Sequence, residues 1–169
     1  IKDAENYHSK DFRILERKLN VELLNNRNSE ARNTIKLIKA LDSKNYFANY
    51  GEGVLNERIG YYKTAMTLYE RAIIIDKSRA EAPVSLAYLQ LANGNSNYAF
   101  NLLNNNINNN PRMAESYYHL ANYYYLNKNY NNALSEISNA FYYYTNYNEA
   151  KILQASIFLS MKRYNESIG

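Results

Sequence analysis

The feature that most constrains the fold is an internal repeat of 34 residues. Small residues recur at this spacing in one series, which is Gly53, Ala87, Ala121 and Ala155. A second series in the same register is Ala65, Ala99, Ala133 and Ser167. Units of this length bury a continuous core only by stacking on one another, so the repeat predicts a stacked helical array.

The spacing within each unit indicates two helices joined by a tight turn. Gly60 and Gly94 lie between the two small positions of their units, and Asn26 occupies the same register earlier in the chain. Gly and Asn tolerate the left-handed backbone conformation that ends many helices. Small side chains on either side of the turn allow the two helix axes to approach closely. Each unit is therefore predicted to be helix, turn, helix.

This register divides one repeat domain, spanning 1–169, into five units. The predicted units are 12–45, 46–79, 80–113, 114–147 and 148–169. The first is either a degenerate repeat or a cap, since Leu19 replaces its small residue. The last is predicted to stop inside its second helix.

The pattern resembles the tetratricopeptide repeat family over 46–169, and more weakly over 12–45. The fourth unit carries the resemblance best, with Tyr117, Leu120, Ala121, Tyr124, Tyr130, Ala133, Ile137 and Ala140. Departures occur where Asn49, Pro83 and Lys151 replace the aromatic residue that opens a first helix. The resemblance implies an all-α fold, a right-handed α-solenoid of antiparallel helix-turn-helix repeats.

The resemblance also implies a concave groove lined by the first helices of successive units. The groove positions that we expect to bind a partner are Phe47, Tyr50, Val54, Tyr88, Leu91, Tyr118, Asn122, Tyr125 and Ile152. All of them except Asn122 are apolar or aromatic, which suits recognition of a protein or peptide segment. The alternative is that these rings reflect codon bias or pack against neighbouring helices. Some family members grip a terminal carboxylate with Lys, Asn and Arg, and only Asn122 could take part here.

Composition argues against an enzyme and leaves two kinds of binding protein. There is no Cys, and His8 and His119 are far apart without a catalytic or metal-ligand pattern. We therefore expect no catalytic residues, metal or cofactor. Glu81, Glu115 and Glu149 repeat at 34 residues, but acidic side chains favour the first turn of a helix, which is the simpler interpretation.

The main prediction is a protein-interaction scaffold, and the alternative is a helical-repeat RNA-binding protein. The net charge of +4 favours RNA, but residues 80–147 carry few charges, whereas phosphate contacts need Lys or Arg. Abundant Tyr and Asn, with 19 Tyr and no Trp, are typical of a low-GC genome. The Asn-rich run at 104–110 predicts a frayed or early-ending helix, because Asn is a weak helix former.

Two further expectations concern the ends of the chain and the compartment. No apolar run is long enough to cross a bilayer, and a soluble cytoplasmic or periplasmic protein is expected, with a preceding signal or anchor segment left open. The fifth unit is expected to expose an apolar face formed by Ile152, Ala155, Leu159, Tyr164 and Ile168. Either further chain beyond residue 169 or a second molecule is expected to cover it, with end-to-end self-association as one outcome.

Overall fold

A computed structural model describes the backbone of residues 2–168 and the side chains of residues 12–162. Nine helices and no strand occur in the described backbone. They are α1 (Lys2–Leu24), α2 (Asn28–Leu41), α3 (Tyr46–Arg58), α4 (Tyr62–Ile75), α5 (Glu81–Ala92), α6 (Ser96–Asn109), α7 (Ala114–Leu126), α8 (Tyr130–Tyr143) and α9 (Asn148–Ile168). The side chains of His8, Tyr164, Ser167 and Ile168, which entered the predictions above, lie outside the described set.

Four of the helix-to-helix turns share one backbone geometry at one register. Asn26, Gly60, Gly94 and Lys128 all have a positive φ, between 56° and 83°. At Gly60, the N–H of Gly60 bonds to Glu57 O at 2.9 Å and the N–H of Tyr61 bonds to Asn56 O at 2.9 Å. The same bond pair recurs in the other three turns, and it is the Schellman motif that ends a helix. The predicted turns at Asn26, Gly60 and Gly94 are therefore confirmed, whereas the turn at Lys128 was not predicted.

The chain forms two compact units, each larger than the repeat units described above. The first compact unit is Ile1–Lys77, with helices α1 to α4. Below, the first unit and the second unit are these two compact units. Helix α1 packs on α2 and α3, and α3 packs on α2 and α4. Its core combines Leu19, Ile35, Ile38 and Leu55, all almost fully buried. The Arg58 guanidinium of α3 binds the connection between α1 and α2. It donates to Asn28 Oδ1 at 2.6 Å and to Leu23 O at 2.7 Å.

A close approach between α3 and α4 requires glycine at position 53. A Cβ built on Gly53 would lie 2.5 Å from Tyr69 Cε1 and 2.7 Å from Tyr69 Cδ1. The Tyr69 ring is fully buried, and its hydroxyl lies 2.6 Å from Glu57 Oε2, to which it donates. The small residue predicted at this register therefore makes room for an aromatic ring.

The second unit is Ser78–Gly169, with helices α5 to α9. Helices α5, α7 and α9 lie side by side as one layer, because α7 packs on both α5 and α9. Helices α6 and α8 pack behind this layer. Ala121 and Ala133 are fully buried in one cluster with Ile137, so the predicted contact between the two helices of this repeat is confirmed.

The expectation of an early-ending helix at the Asn-rich run is wrong. Helix α6 continues to Asn109, and Asn106 is only 3% exposed. Its Nδ2 donates to Ser116 Oγ at 2.8 Å and to Ala80 O at 3.2 Å, while its Oδ1 accepts from Asn110 Nδ2. Tertiary hydrogen bonds of this kind outweigh the roughly 0.5 kcal/mol per residue by which Asn disfavours a helix.

The last helix also differs from the expectation. Helix α9 runs without interruption from Asn148 to Ile168, so the second helix that was expected in the fifth repeat unit does not begin. Ala155 is exposed together with Ile152 and Leu159, as expected for the uncovered face of this helix, and Ala150, Leu153 and Ile157 form its buried side. Within the described residues, no helix combines the length and the apolar character that crossing a membrane requires.

Candidate partner-binding surface

Three aromatic rings from α5 and α7 meet on the layer formed by the first helices of the second unit. The His119 ring lies 5.6 Å from the Tyr88 ring and 4.9 Å from the Tyr118 ring, measured between centroids. Tyr88 is 47% exposed, while His119 is 8% exposed. Helix α7 therefore places an imidazole beneath two phenol rings, of which Tyr88 is open to a ligand.

Two carboxylates and a fourth ring border these residues. Tyr147, in the loop before α9, lies 5.2 Å from Tyr118 between ring centroids. Burial raises the pKa of Tyr147 above its ordinary value, and the charges of Glu115 and Glu149 raise it further. Burial and the same two carboxylates raise the pKa of Tyr118. The negative charges of Glu115 and Glu149 thus act on both phenols.

The imidazole of His119 is incompletely satisfied. Its Nε2 lies 3.8 Å from Glu115 Oε1 one helical turn earlier, but its Nδ1 is buried without a hydrogen-bond partner among the described residues. Such orphaned polar atoms are uncommon in protein interiors. No group of three or more His, Cys, Asp or Glu side chains that could hold a metal ion occurs in the described part of the chain.

The remaining predicted positions of the second unit fall into two groups. Tyr125 is half-buried, with its hydroxyl 3.3 Å from Ser160 Oγ on α9, and Asn122 is also half-buried. Ile152 on α9 is 69% exposed. Leu91 is only 8% exposed and packs among Ala87, Ala99, Leu103 and Leu120. We therefore exclude Leu91 from the surface, because the turn of helix that carries it faces α6 and α7.

The predicted positions of the first unit are mostly engaged within that unit. The Tyr50 ring lies 6.1 Å from the Tyr46 ring and 5.8 Å from the Tyr69 ring, and it is half-buried. Phe47 and Val54 pack partly against the core cluster that contains Leu19. These side chains are only partly exposed, whereas Tyr88 and Ile152 of the second unit are 47% and 69% exposed. The surface open to a ligand is therefore clearest in the second unit.

Sequence reasoning missed several residues of this surface. Glu115 and Glu149 were interpreted as residues that start helices, and they do occupy the first turns of α7 and α9. Their proximity to Tyr118 and Tyr147 was not predicted. Tyr147 lies outside the helices, where a helical periodicity gives no signal. The equal 34-residue spacing of Glu115 and Glu149 was the one sequence signal that could have revealed them.

Comparison with solved structures identifies the fold. The chain is similar to pilF of Pseudomonas aeruginosa, with 13% identity over 92% of this chain and 71% of that one, and a TM-score of 0.78. It is also similar to MamA, with 16% identity over 95% of this chain and 87% of that one, and a TM-score of 0.67. A second MamA structure gives 18% identity over 84% and 83%, with a TM-score of 0.63.

No protein-family model matches the chain, and no curated protein matches it. The identities to the solved structures are low, so the likeness establishes the fold. The chain is an all-α solenoid of antiparallel helix-turn-helix pairs, consistent with the tetratricopeptide type of repeat.

Proposed function

We propose that this chain is a protein-interaction scaffold that holds a segment of a partner protein against the first-helix layer of its second unit. The observation that supports this function is Tyr88, a large ring on α5 that is 47% exposed. Tyr118 and Tyr125 extend the surface on the adjacent helix α7. Ile152 adds an exposed apolar side chain from α9.

Tyrosine is well suited to this role. It offers a large contact area with few rotatable bonds, so little conformational entropy is lost when a partner covers it. The rings of Tyr118 and Tyr125 are already held by neighbours, namely Tyr147 and Ser160. A surface that is ordered before binding gains more of the contact energy as affinity.

The RNA-binding alternative is not supported by this surface. Stacking rings bind RNA together with Lys or Arg that neutralise the phosphates. Here the rings are bordered by Glu115 and Glu149, and the charges of both reach the phenol of Tyr118. Carboxylates at this position would repel a phosphate backbone, so a protein or peptide is the better ligand.

The first test compares affinity with stability in variants of the surface. Replacing Tyr88 and Tyr125 with Ala should weaken partner binding by about 2 kcal/mol or more if these rings are anchors. The matched control is Tyr142→Ala on α8, where the ring is 82% exposed away from this layer.

The partner needed for this measurement can be captured by a photoreactive phenylalanine at position 88, with position 142 as control. Crosslinks common to both positions, or equal binding by both variants, would contradict the proposed surface. A collapse of stability in the Tyr88 and Tyr125 variant, without a separate loss of affinity, would show that the rings are core.

Self-association is a second role, favoured by one observation on α9. Ile152, Phe158 and Leu159 are 69%, 54% and 65% exposed, which leaves three large apolar side chains uncovered on one helix. We infer that two copies of the chain associate through α9. Light scattering should show concentration-dependent dimers that Leu159→Glu abolishes, and a monomer at millimolar concentration would contradict this role.

A further inference from the structure

The partner-binding surface has a charge that differs from the charge of the chain as a whole. The formal net charge is +4, yet the ionised groups around Tyr118 and Tyr147 are the carboxylates of Glu115 and Glu149. We name Tyr88, Glu115, Tyr118, Tyr147 and Glu149 the acidic tyrosine patch. All five belong to the second unit.

The carboxylates of this patch are not neutralised by cations. Among the described side chains, Glu149 has no ion-pair partner, and Glu115 approaches only the imidazole of His119, at 3.8 Å. Both residues lie in the first turns of helices, a position that acidic side chains commonly occupy. Two carboxylates without a cationic partner therefore act on the phenols of Tyr118 and Tyr147.

The aromatic rings reinforce this preference for a cation. The face of a phenol ring carries partial negative charge, and a guanidinium or ammonium group is attracted to it. Tyr88 leaves about half of its surface open, so such a group can reach the ring. Beneath the rings, His119 Nδ1 is buried and unpaired, and unsatisfied polar atoms of this kind in folded proteins call for a functional explanation.

We propose that the acidic tyrosine patch is a binding site for a positively charged side chain of the partner segment, with arginine preferred to lysine. Arginine is preferred because its planar guanidinium can stack on a ring while donating hydrogen bonds to a carboxylate. This inference rests on the proposed function, since it names the chemistry that the bound segment must carry. It also specifies which residues decide specificity, namely Tyr88 for stacking and the two glutamates for charge.

The experiment is a selection of random twelve-residue peptides, displayed on phage, with the full chain as bait. Selected peptides should be enriched in Arg beside apolar or aromatic residues. One selected peptide is then synthesised twice, once with Arg and once with citrulline, which has nearly the same shape without the charge. The citrulline peptide should bind about three- to thirtyfold more weakly, the range that a cation on an aromatic ring provides.

Variants of the chain locate the effect on the patch. Glu115→Gln together with Glu149→Gln should reduce binding of the Arg peptide and leave the citrulline peptide unchanged. The matched control is Glu136→Gln on α8, which removes a charge that acts on Tyr117 and Tyr124 instead. Retained affinity in the double Gln variant would overturn the proposal, as would equal binding of the two peptides.

The outcomes also separate this inference from the proposed function. One outcome is that the selected peptides are not enriched in Arg but lose affinity on Tyr88→Ala. That outcome would support the scaffold function and contradict the cation-binding site. Peptides whose binding is unaffected by Tyr88→Ala and Tyr125→Ala would remove both. The absence of any selected peptide would likewise contradict the proposed cation-binding site.

Discussion

Two hairpins of this molecule occupy the same register of the repeat but fill the space between their helices in opposite ways. In the hairpin of α3 and α4, Gly53 faces the fully buried ring of Tyr69. In the hairpin of α7 and α8, Ala121 and Ile137 occupy the corresponding positions and are also fully buried. The first hairpin pairs glycine, which has no side chain, with the large ring of Tyr69. The second hairpin pairs the methyl group of Ala121 with the smaller side chain of Ile137.

The difference shows that the repeat conserves the shared volume of two positions rather than either residue. Cores are packed at high density, so an added carbon must be matched by a removed one nearby. Glycine in a helix costs about 1 kcal/mol relative to alanine, and the first hairpin offsets that cost with the buried area of Tyr69. The effect of adding carbon at the small position should therefore depend on the size of the residue that faces it.

The largest effect is expected where a closely packed alanine is enlarged. Ala133→Leu adds three carbons to the contact between α7 and α8, and we expect it to destabilise the protein by about 2–3 kcal/mol. Thermal and denaturant unfolding measure the loss. An unchanged midpoint would mean that this interface has spare volume, which its zero exposure argues against.

The Gly53 and Tyr69 pair should show a strong coupling in a double-mutant cycle. Gly53→Ala alone should cost about 1–2 kcal/mol, because its Cβ would press on the Tyr69 ring, although Ala is the better helix former. In a Tyr69→Ile background the same change should be neutral or stabilising, as in the second hairpin. Denaturant unfolding of the four proteins gives the coupling energy, and additive effects would contradict the volume exchange.

The smallest effect concerns the turn of the second hairpin. Lys128 adopts a φ of 59°, whereas the first hairpin has Gly60 at the same register. Lys128→Gly should stabilise the protein by about 1 kcal/mol or less, because glycine enters the left-handed region without steric cost. Gly60→Lys should have the opposite sign in the same unfolding measurement, and equal signs would break the comparison.

Much of the fold was predictable because small residues and turn formers report backbone constraints directly. Gly60 and Gly94 indicated left-handed turns, and the alanines at 121 and 133 indicated helix contact. Residue type predicts the backbone conformation less well where packing against the rest of the fold determines it. Lys occupies the same register at 128 and 162, yet the first lies in a turn and the second continues α9.

The candidate surface was only partly predictable, for a related reason. Tyr88 and Leu91 lie less than one helical turn apart on α5, and a groove assigned by register included both. Leu91 is covered by the packing of α6 and α7, whereas Tyr88 stays half exposed. Which side of a helix is covered depends on the exact placement of its neighbours, which periodicity does not give. The effect of the Glu115 charge on Tyr147 depends on the position of a loop, so periodicity could not predict it either.

The hydrogen bonds of Asn106 have a consequence for the dynamics of the second unit. One amide group bonds to Ala80 before α5 and to Ser116 on α7, while its own backbone belongs to α6. Sliding any of the three helices by one turn would strand buried donors and acceptors in the interior. Helices α5, α6 and the start of α7 should therefore open together, and amide hydrogen exchange should report them as a single cooperative block.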